Sequence, residues 1–436
     1  MLEGFSNAGR IPELRRRLLF TFGMLAVYRA VVVIPTPGID GKALGEFFNQ
    51  MKDVFGFVNL LSGGALEQFS IAALGIMPYI SASIILQLMT VVIPHLERLS
   101  KEGEVGRRKI TQYTRYGTVI LAVVQGLFIS IGLEKLQAPG GAPVVYHPGW
   151  SFKVMTVITL ASGTAFLMWL GEQISERGIG NGISMIIFAG IVARLPQAIS
   201  TTMQFVREGE MSIFTLLFIS AFMVLIVGVI IFVERGQRRI PVQYAKRVVG
   251  RRMYGGQSSH LPLKLNTAGV IPPIFASSLL VFPATIAQFV QHPWAQAAGQ
   301  WLSRGEGLYN LLFVALIIFF SYFYTAVTFN TSDVAENMKK FGGFIPGIRP
   351  GQRTAEYIDR VLSRITLAGA IYVAVVCILP TVLIRQFNVP FYFGGTALLI
   401  VVGVALDTVA QIETHMLTRS YQGFMRRGRL RGRRTS

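Results

Sequence analysis

Residues 71–93 read IAALGIMPYISASIILQLMTVVI, a run without one charged side chain. A hydrocarbon core about 30 Å thick is crossed by roughly 20 mostly apolar residues in a helix, which is the length of this run. The segment reads as a membrane span, so lipid rather than water sets the rules for the rest of the chain. Comparable stretches lie at 18–34, 116–133, 154–171, 183–199, 213–233, 268–290, 311–329, 367–383 and 391–412. The expectation is an all-α integral membrane protein of ten transmembrane helices. The fifth span is the weakest, because Arg194 and Pro196 interrupt it. Directly ahead of 71–93, the stretch 55–73 contains Ser62-Gly63-Gly64 and is mildly apolar, yet too short to cross. Such a piece survives at membrane depth only where protein or a water-filled cavity surrounds it. A re-entrant stopper and an interfacial helix leading into span two both fit.

Composition points the same way. Of 436 residues, 52% are hydrophobic and only 14% charged, well outside the balance of an average soluble domain. No cleavable signal peptide is expected, since 18–34 lacks a small-residue cleavage site followed by a polar mature domain. The single cysteine, Cys377, falls inside span nine, so neither a disulfide framework nor a cysteine metal cluster is available.

Lysine and arginine divide unevenly between the two sets of loops. The N-terminus, the loops after spans two, four, six and eight, and the tail hold 32 of the 41, which makes that side cytoplasmic, with both termini on it. Part of the +19 net charge serves topology and attraction to anionic lipid. Two long loops exceed that need: 234–265, with Arg235, Arg238, Arg239, Lys246, Arg247, Arg251, Arg252 and Lys264, and 330–364, with Lys339, Lys340, Arg349 and Arg353. Each is either a docking surface for an acidic or RNA-rich partner or a solvated loop. The arginine-rich tail, 418–436, is expected to touch lipid or stay irregular. Five spans on either side of Glu210 permit two halves of inverted topology, 1–210 and 211–436, although the sequences of the halves do not repeat visibly.

Chemistry-bearing motifs are scarce. The sequence has no Gly-x-x-x-x-Gly-Lys-Ser/Thr phosphate loop, and its five histidines, His95, His147, His260, His292 and His415, lack ligand spacing. No catalytic residue, metal or cofactor is expected. Gly178-Ile179-Gly180-Asn181-Gly182 imitates a nucleotide loop, but an apolar span follows it and no strand precedes it, so it reads as a tight turn into span five. Ionisable groups within spans are few: Arg29 and Asp407, with Glu172, Arg194 and Glu413 near the ends. A structural ion pair between Arg29 and Asp407 is the favoured reading. Ile76, Ile80, Ile187, Ile274 and Ile400 stand in broken or polar-flanked spans, where pattern alone does not separate them from ordinary packing residues.

Six stretches, in order, resemble the SecY family of protein-translocation channels. They are Ser62-Gly63-Gly64-Ala65 with 73–84 (ALGIMPYISASI); Glu104 to Tyr116; 171–184 with its glycine turn; 233–247 with VERGQRRIP; Pro346-Gly347-Ile348-Arg349-Pro350-Gly351; and Pro390 to Thr396. The resemblance implies two inverted five-helix halves forming a clamshell around a central pore. It further implies a plug at about 57–71, including Ser62, Gly63, Gly64, Ala65 and Leu66, below a ring made by Ile76, Ile80, Ile187, Ile274 and Ile400. An apolar constriction closes non-directionally around a threading chain of any sequence and opposes ions when empty. Spans two and three against seven and eight are implied as a lateral gate, weakened by Gln87 and Asn266. There an apolar segment gains several kcal/mol on entering hydrocarbon, which selects it without catalysis. Arg238, Arg239, Arg251, Arg252, Lys339, Lys340 and Arg349 fall where the family engages the ribosome or the motor ATPase SecA. SecE and SecG are the implied membrane partners, unfolded preproteins and signal sequences the substrates, and the bacterial cytoplasmic membrane the setting. Pro273 after Pro272 departs from the small aliphatic residue common in the family and is expected to alter a kink near the ring.

Two rivals remain from the residues. An inverted-repeat secondary transporter for a small solute shares the span count but calls for a polar midplane site. An intramembrane enzyme calls for a catalytic pair that the sequence does not display.

Overall fold

The computed structural model describes residues 11–41, 43–45, 62–135, 143–209, 211–244, 247–249, 252–254, 258–289, 307–387 and 395–431. Helices dominate: α1 Pro12–Val33, α2 Met77–Val92, α3 Pro94–Lys101, α4 Glu104–Lys135, α5 Trp150–Arg177, α6 Gly182–Val192, α7 Leu195–Arg207, α8 Ile213–Arg235, α9 Ile271–Phe289, α10 Gly307–Thr328, α11 Thr331–Lys340, α12 Gln352–Phe387 and α13 Gly395–Arg431. Among the described residues seven helices or helix pairs are long and apolar enough to cross a membrane, and an eighth if α2 and α3 count as one span bent by 101°. The bend falls at Pro94, which opens α3 at its first turn, where a missing N–H costs nothing. Expected spans one and seven correspond to α1, whose arginines lower its hydropathy, and to the apolar stretch Ile271–Leu280.

The chain clusters into two compact units, Met1–Met203 with Ile400–Ser436, and Gln204–Leu399. In the first, α2 approaches α4 where a Cβ at Gly117 would lie 3.4 Å from Ala82 Cβ, and α4 meets α5 at Gly126 and Leu160. Arg115 on α4 bonds Glu172 on α5 at 2.7 Å. At the far end of the same pair Lys153 meets Glu134 at 3.0 Å. The glycine turn before α6 is tight, as expected. Asn181 caps the helix by accepting from the backbone N–H of Ile183 and Ser184, the usual service of an N-cap side chain. A side chain at Gly182 would strike the Gly171 carbonyl at 1.8 Å, and Ile179 N donates to Thr21 Oγ1 of α1 at 3.1 Å.

In the second unit the loop after α8 folds as strands. β1 Gln237–Tyr244 pairs antiparallel with β4 Ser258–Lys264, from Gln237 opposite Lys264 to Gln243 opposite Ser258, with β2 Arg247–Val249 and β3 Arg252–Tyr254 forming a second pair between them. Its signal is a short alternation: Ile240 and Val242 are buried while Arg239, Pro241 and Gln243 are exposed, the period-two pattern of a half-buried strand. β5 Gly343–Phe344 adds to the other edge of β1, giving the order β4-β1-β5. Ile240, Leu263, Ile345, Ile358 and Ile365 form the core beneath this sheet.

Two expectations are corrected. Pro272 and Pro273 fall in the first turn of α9, which begins at Ile271, so neither removes an intrahelical hydrogen bond or kinks the helix there. Of the two readings of the basic tail, irregular chain gives way: α13 continues as helix as far as Arg431.

Candidate functional site

The stretch 62–76 is a chain of turns that leads into α2, and neighbouring elements fix it from several sides. Of the expected plug, 57–61 lies outside the described residues. Gly63, Gly64 and Gly75 take φ of 69°, 92° and 56°, left-handed values that glycine adopts without steric cost. Gly63 also sits against α6: a Cβ there would lie 2.7 Å from Tyr28 Oη and 2.9 Å from Gly190 Cα. Tyr28 Oη donates to the Ser62 carbonyl at 3.2 Å, and Arg29 Nη1 donates to the Gly63 carbonyl at 3.0 Å. Arg194, in the break between α6 and α7, forms a salt bridge with Glu67 and lies over Gly64. The backbone closes the far side: Thr36 N donates to Phe69 O at 2.9 Å and Ile71 N to Ile34 O at 3.0 Å. Leu66 and Phe69 are buried in an apolar cluster with Leu44, Val144, Val145 and Phe152. Phe69 holds a left-handed φ of 42°, a conformation that costs a non-glycine residue about 1 kcal/mol or more and persists only where packing enforces it.

This geometry corrects the reading of Arg29. Its guanidinium is spent on the Gly63 carbonyl and forms no ion pair with Asp407. Asp407 instead lines a cavity of about 240 Å³ with Asn181, Ser184, Thr408, Gln411 and Thr414.

All five expected ring isoleucines are buried, from 2% exposed at Ile400 to 8% at Ile80 and Ile274. Ile76 caps the N-terminus of α2 and Ile80 follows one turn later, with Ile80 N bonded to Ile76 O at 3.1 Å. Ile187 stands mid-way along α6 and Ile400 near the start of α13, while Ile274 belongs to the second unit. The residues expected to weaken a lateral seam differ from each other. Gln87 is half-buried and bonds only within its own helix, to Ser83 Oγ at 3.4 Å. Asn266 is 6% exposed and donates to Glu234 Oε1 at 2.7 Å and to the Gly269 carbonyl at 3.1 Å.

The basic residues gather on one body. Arg238 and Arg239 are exposed on β1, Lys339 and Lys340 are exposed at the end of α11, and Arg349 is exposed in the turn before α12. The pairing of β1 with β5 joins the two long loops, which the sequence left separate. Lys340 meets Glu336 at 3.0 Å, an exposed pair worth little. Arg252 lies on β3, whose side chains are not described, and Arg251 lies outside the described residues. Tyr28, Glu67 and Gly190 were missed as site residues. Only Glu67, a carboxylate in a short apolar stretch, left a signal in the sequence.

A bundle of apolar helices with a turn-rich segment seated ahead of one of them is the fold of the protein-conducting channels. Solved structures of that class match, among them "The structure of a protein conducting channel", with a TM-score of 0.65, 18% identity and 93% of both chains covered. Sec61 from a canine ribosome-channel complex matches with a TM-score of 0.61 and 17% identity. The family model for SecY matches residues 70–409. Relatives are alike over nearly their whole length. The protein translocase subunit SecY of Escherichia coli (strain K12) is 52% identical, covering 99% of this chain and 98% of that protein. The one from Aquifex aeolicus is 47% identical over 98% and 100%. The chain belongs to the SecY family.

Proposed function

We propose that the chain is a protein-conducting channel that passes unfolded polypeptides across a membrane and releases apolar segments sideways into it. Full-length likeness to translocase subunits supports this. The structural observation that carries it is the segment 62–75, fixed by Tyr28, Arg29 and Arg194 immediately ahead of Ile76 and Ile80. Seated there, it acts as the plug, and Ile76, Ile80, Ile187, Ile274 and Ile400 form the constriction. Apolar side chains suit that task, because a dry narrow passage is costly for ions while its contacts with a peptide need no particular sequence. No step requires proton transfer or a bound cofactor, so the driving force comes from outside the channel.

The two basic loops, joined through β1 and β5, form the docking face for SecA and for the ribosome, whose phosphate backbone suits exposed arginine. SecE and SecG complete the complex, anionic lipid surrounds it, and both termini lie in the cytoplasm of a bacterium, inside its cytoplasmic membrane. The ten spans form two inverted halves, 1–210 and 211–436, and the seam carrying Gln87 and Asn266 is the lateral gate. The test is export: proteoliposomes holding the complex, supplied with SecA, ATP and a preprotein, should shelter the preprotein from added protease. Vesicles that instead concentrate a small solute and shelter no preprotein would favour the transporter reading.

A further inference from the structure

Resting on the reading of 62–76 as a plug, we infer that the Glu67–Arg194 ion pair is the latch that sets how readily the channel opens. Glu67 belongs to the movable segment. Arg194 belongs to the wall, at the break between Val192 and Leu195 where α6 gives way to α7. The contacts from Tyr28 and Arg29 end on main-chain carbonyls, so no side chain of the segment takes part in them. The Arg194 contact needs the right side chain at both ends. Its partners are 23% and 34% exposed, so the pair is partly shielded and stronger than a fully solvated one. The guanidinium also covers Gly64, where a Cβ would lie 3.3 Å from Nε, so a shift of the segment must carry Glu67 past it.

Charge suits a latch for a further reason. When the segment leaves its seat, both ions regain water, and the lost attraction is largely offset by hydration. The buried Phe69 and Leu66 behave oppositely, because displacement exposes their apolar surface and draws the segment back. The ion pair therefore tunes the threshold for opening, while the apolar cluster drives reclosure.

The experiment measures anion leak from vesicles holding the full complex without SecA or substrate. Glu67→Gln and Arg194→Gln should each raise the resting leak about two- to five-fold, the factor expected from a partly shielded pair. Glu67→Arg and Arg194→Glu should raise it further. The exchanged variant carrying both reversals should return to within about two-fold of the unaltered protein, which also shows that the altered chains fold. Ile187→Gly is the control for the channel reading. If Ile187→Gly leaks and the Glu67 and Arg194 variants do not, the latch is wrong and the channel stands. Single variants that leak without rescue in the exchanged protein also overturn the latch. If Ile187→Gly stays sealed as well, the channel reading fails and the latch with it.

Discussion

The Asn266 amide donates to Glu234 Oε1 at 2.7 Å, tying the C-terminal turn of α8 to the chain that leads into α9. Asn266 is 6% exposed and its amide also donates to the Gly269 carbonyl at 3.1 Å, so this one side chain serves both acceptors. A hydrogen bond to an ionised partner contributes about 1.5–3 kcal/mol. Asn266→Ala should lower the stability of the detergent-solubilised protein by about that much. Asn266→Asp, which cannot donate when ionised and sets a second negative charge against Glu234, should be worse. Denaturation of the two variants in parallel checks the order, and an Asp variant as stable as the original would contradict it.

At Gly63 the constraint is steric. A Cβ would meet Tyr28 Oη and Gly190 Cα below 3.0 Å, and φ is +69°, so Gly63→Ala incurs both a clash and about 1 kcal/mol or more of backbone strain. The segment should lose its seat, which protease accessibility around residue 67 would report as faster cleavage. Gly228→Ala, on α8 with nothing within 4 Å of the added carbon, should leave cleavage unchanged.

Arg349 is exposed, and its carbonyl accepts from Thr354 Oγ1 at 2.9 Å. On the Arg349 side that bond uses only the main-chain carbonyl, so Arg349→Glu should leave the turn folded while reversing the charge offered to a partner. SecA-driven export should fall at least ten-fold, a loss that corresponds to about 1.4 kcal/mol or more of coupling. Thermal stability and membrane insertion should not change. Unimpaired export would remove Arg349 from the docking face.

Much of the architecture was legible because a membrane span is a long one-dimensional signal. The runs at 116–133, 154–171, 213–233 and 311–329 each fall inside a helix the structure shows as able to cross. The hairpin was not legible as strands, because its charges dominate the composition and its alternation is confined to Ile240 and Val242 on one side and to Leu261 and Leu263 on the other. The false pairing of Arg29 with Asp407 has a geometric cause: sequence fixes depth along a span but not the face on which a side chain emerges. Arg194 was visible as an oddity within an apolar run, whereas its partner Glu67 is 127 residues away, a separation that no local pattern bridges. The contact of Gly63 with Gly190 leaves no sequence trace, since only the folded chain shows what a missing Cβ permits.

A substrate in transit is expected to pass through the isoleucine set. Position 187 tests it most directly, since Ile187 is 4% exposed on α6. With the buried Cys377 replaced by serine and a cysteine introduced by Ile187→Cys, a secretory chain stalled midway and carrying a thiol-reactive group should crosslink to position 187 in high yield. The exposed position 217 on α8, altered the same way by Leu217→Cys, should stay unlabelled. A stalled chain that never reached position 187, or that labelled 217 equally, would take the isoleucine set out of the path.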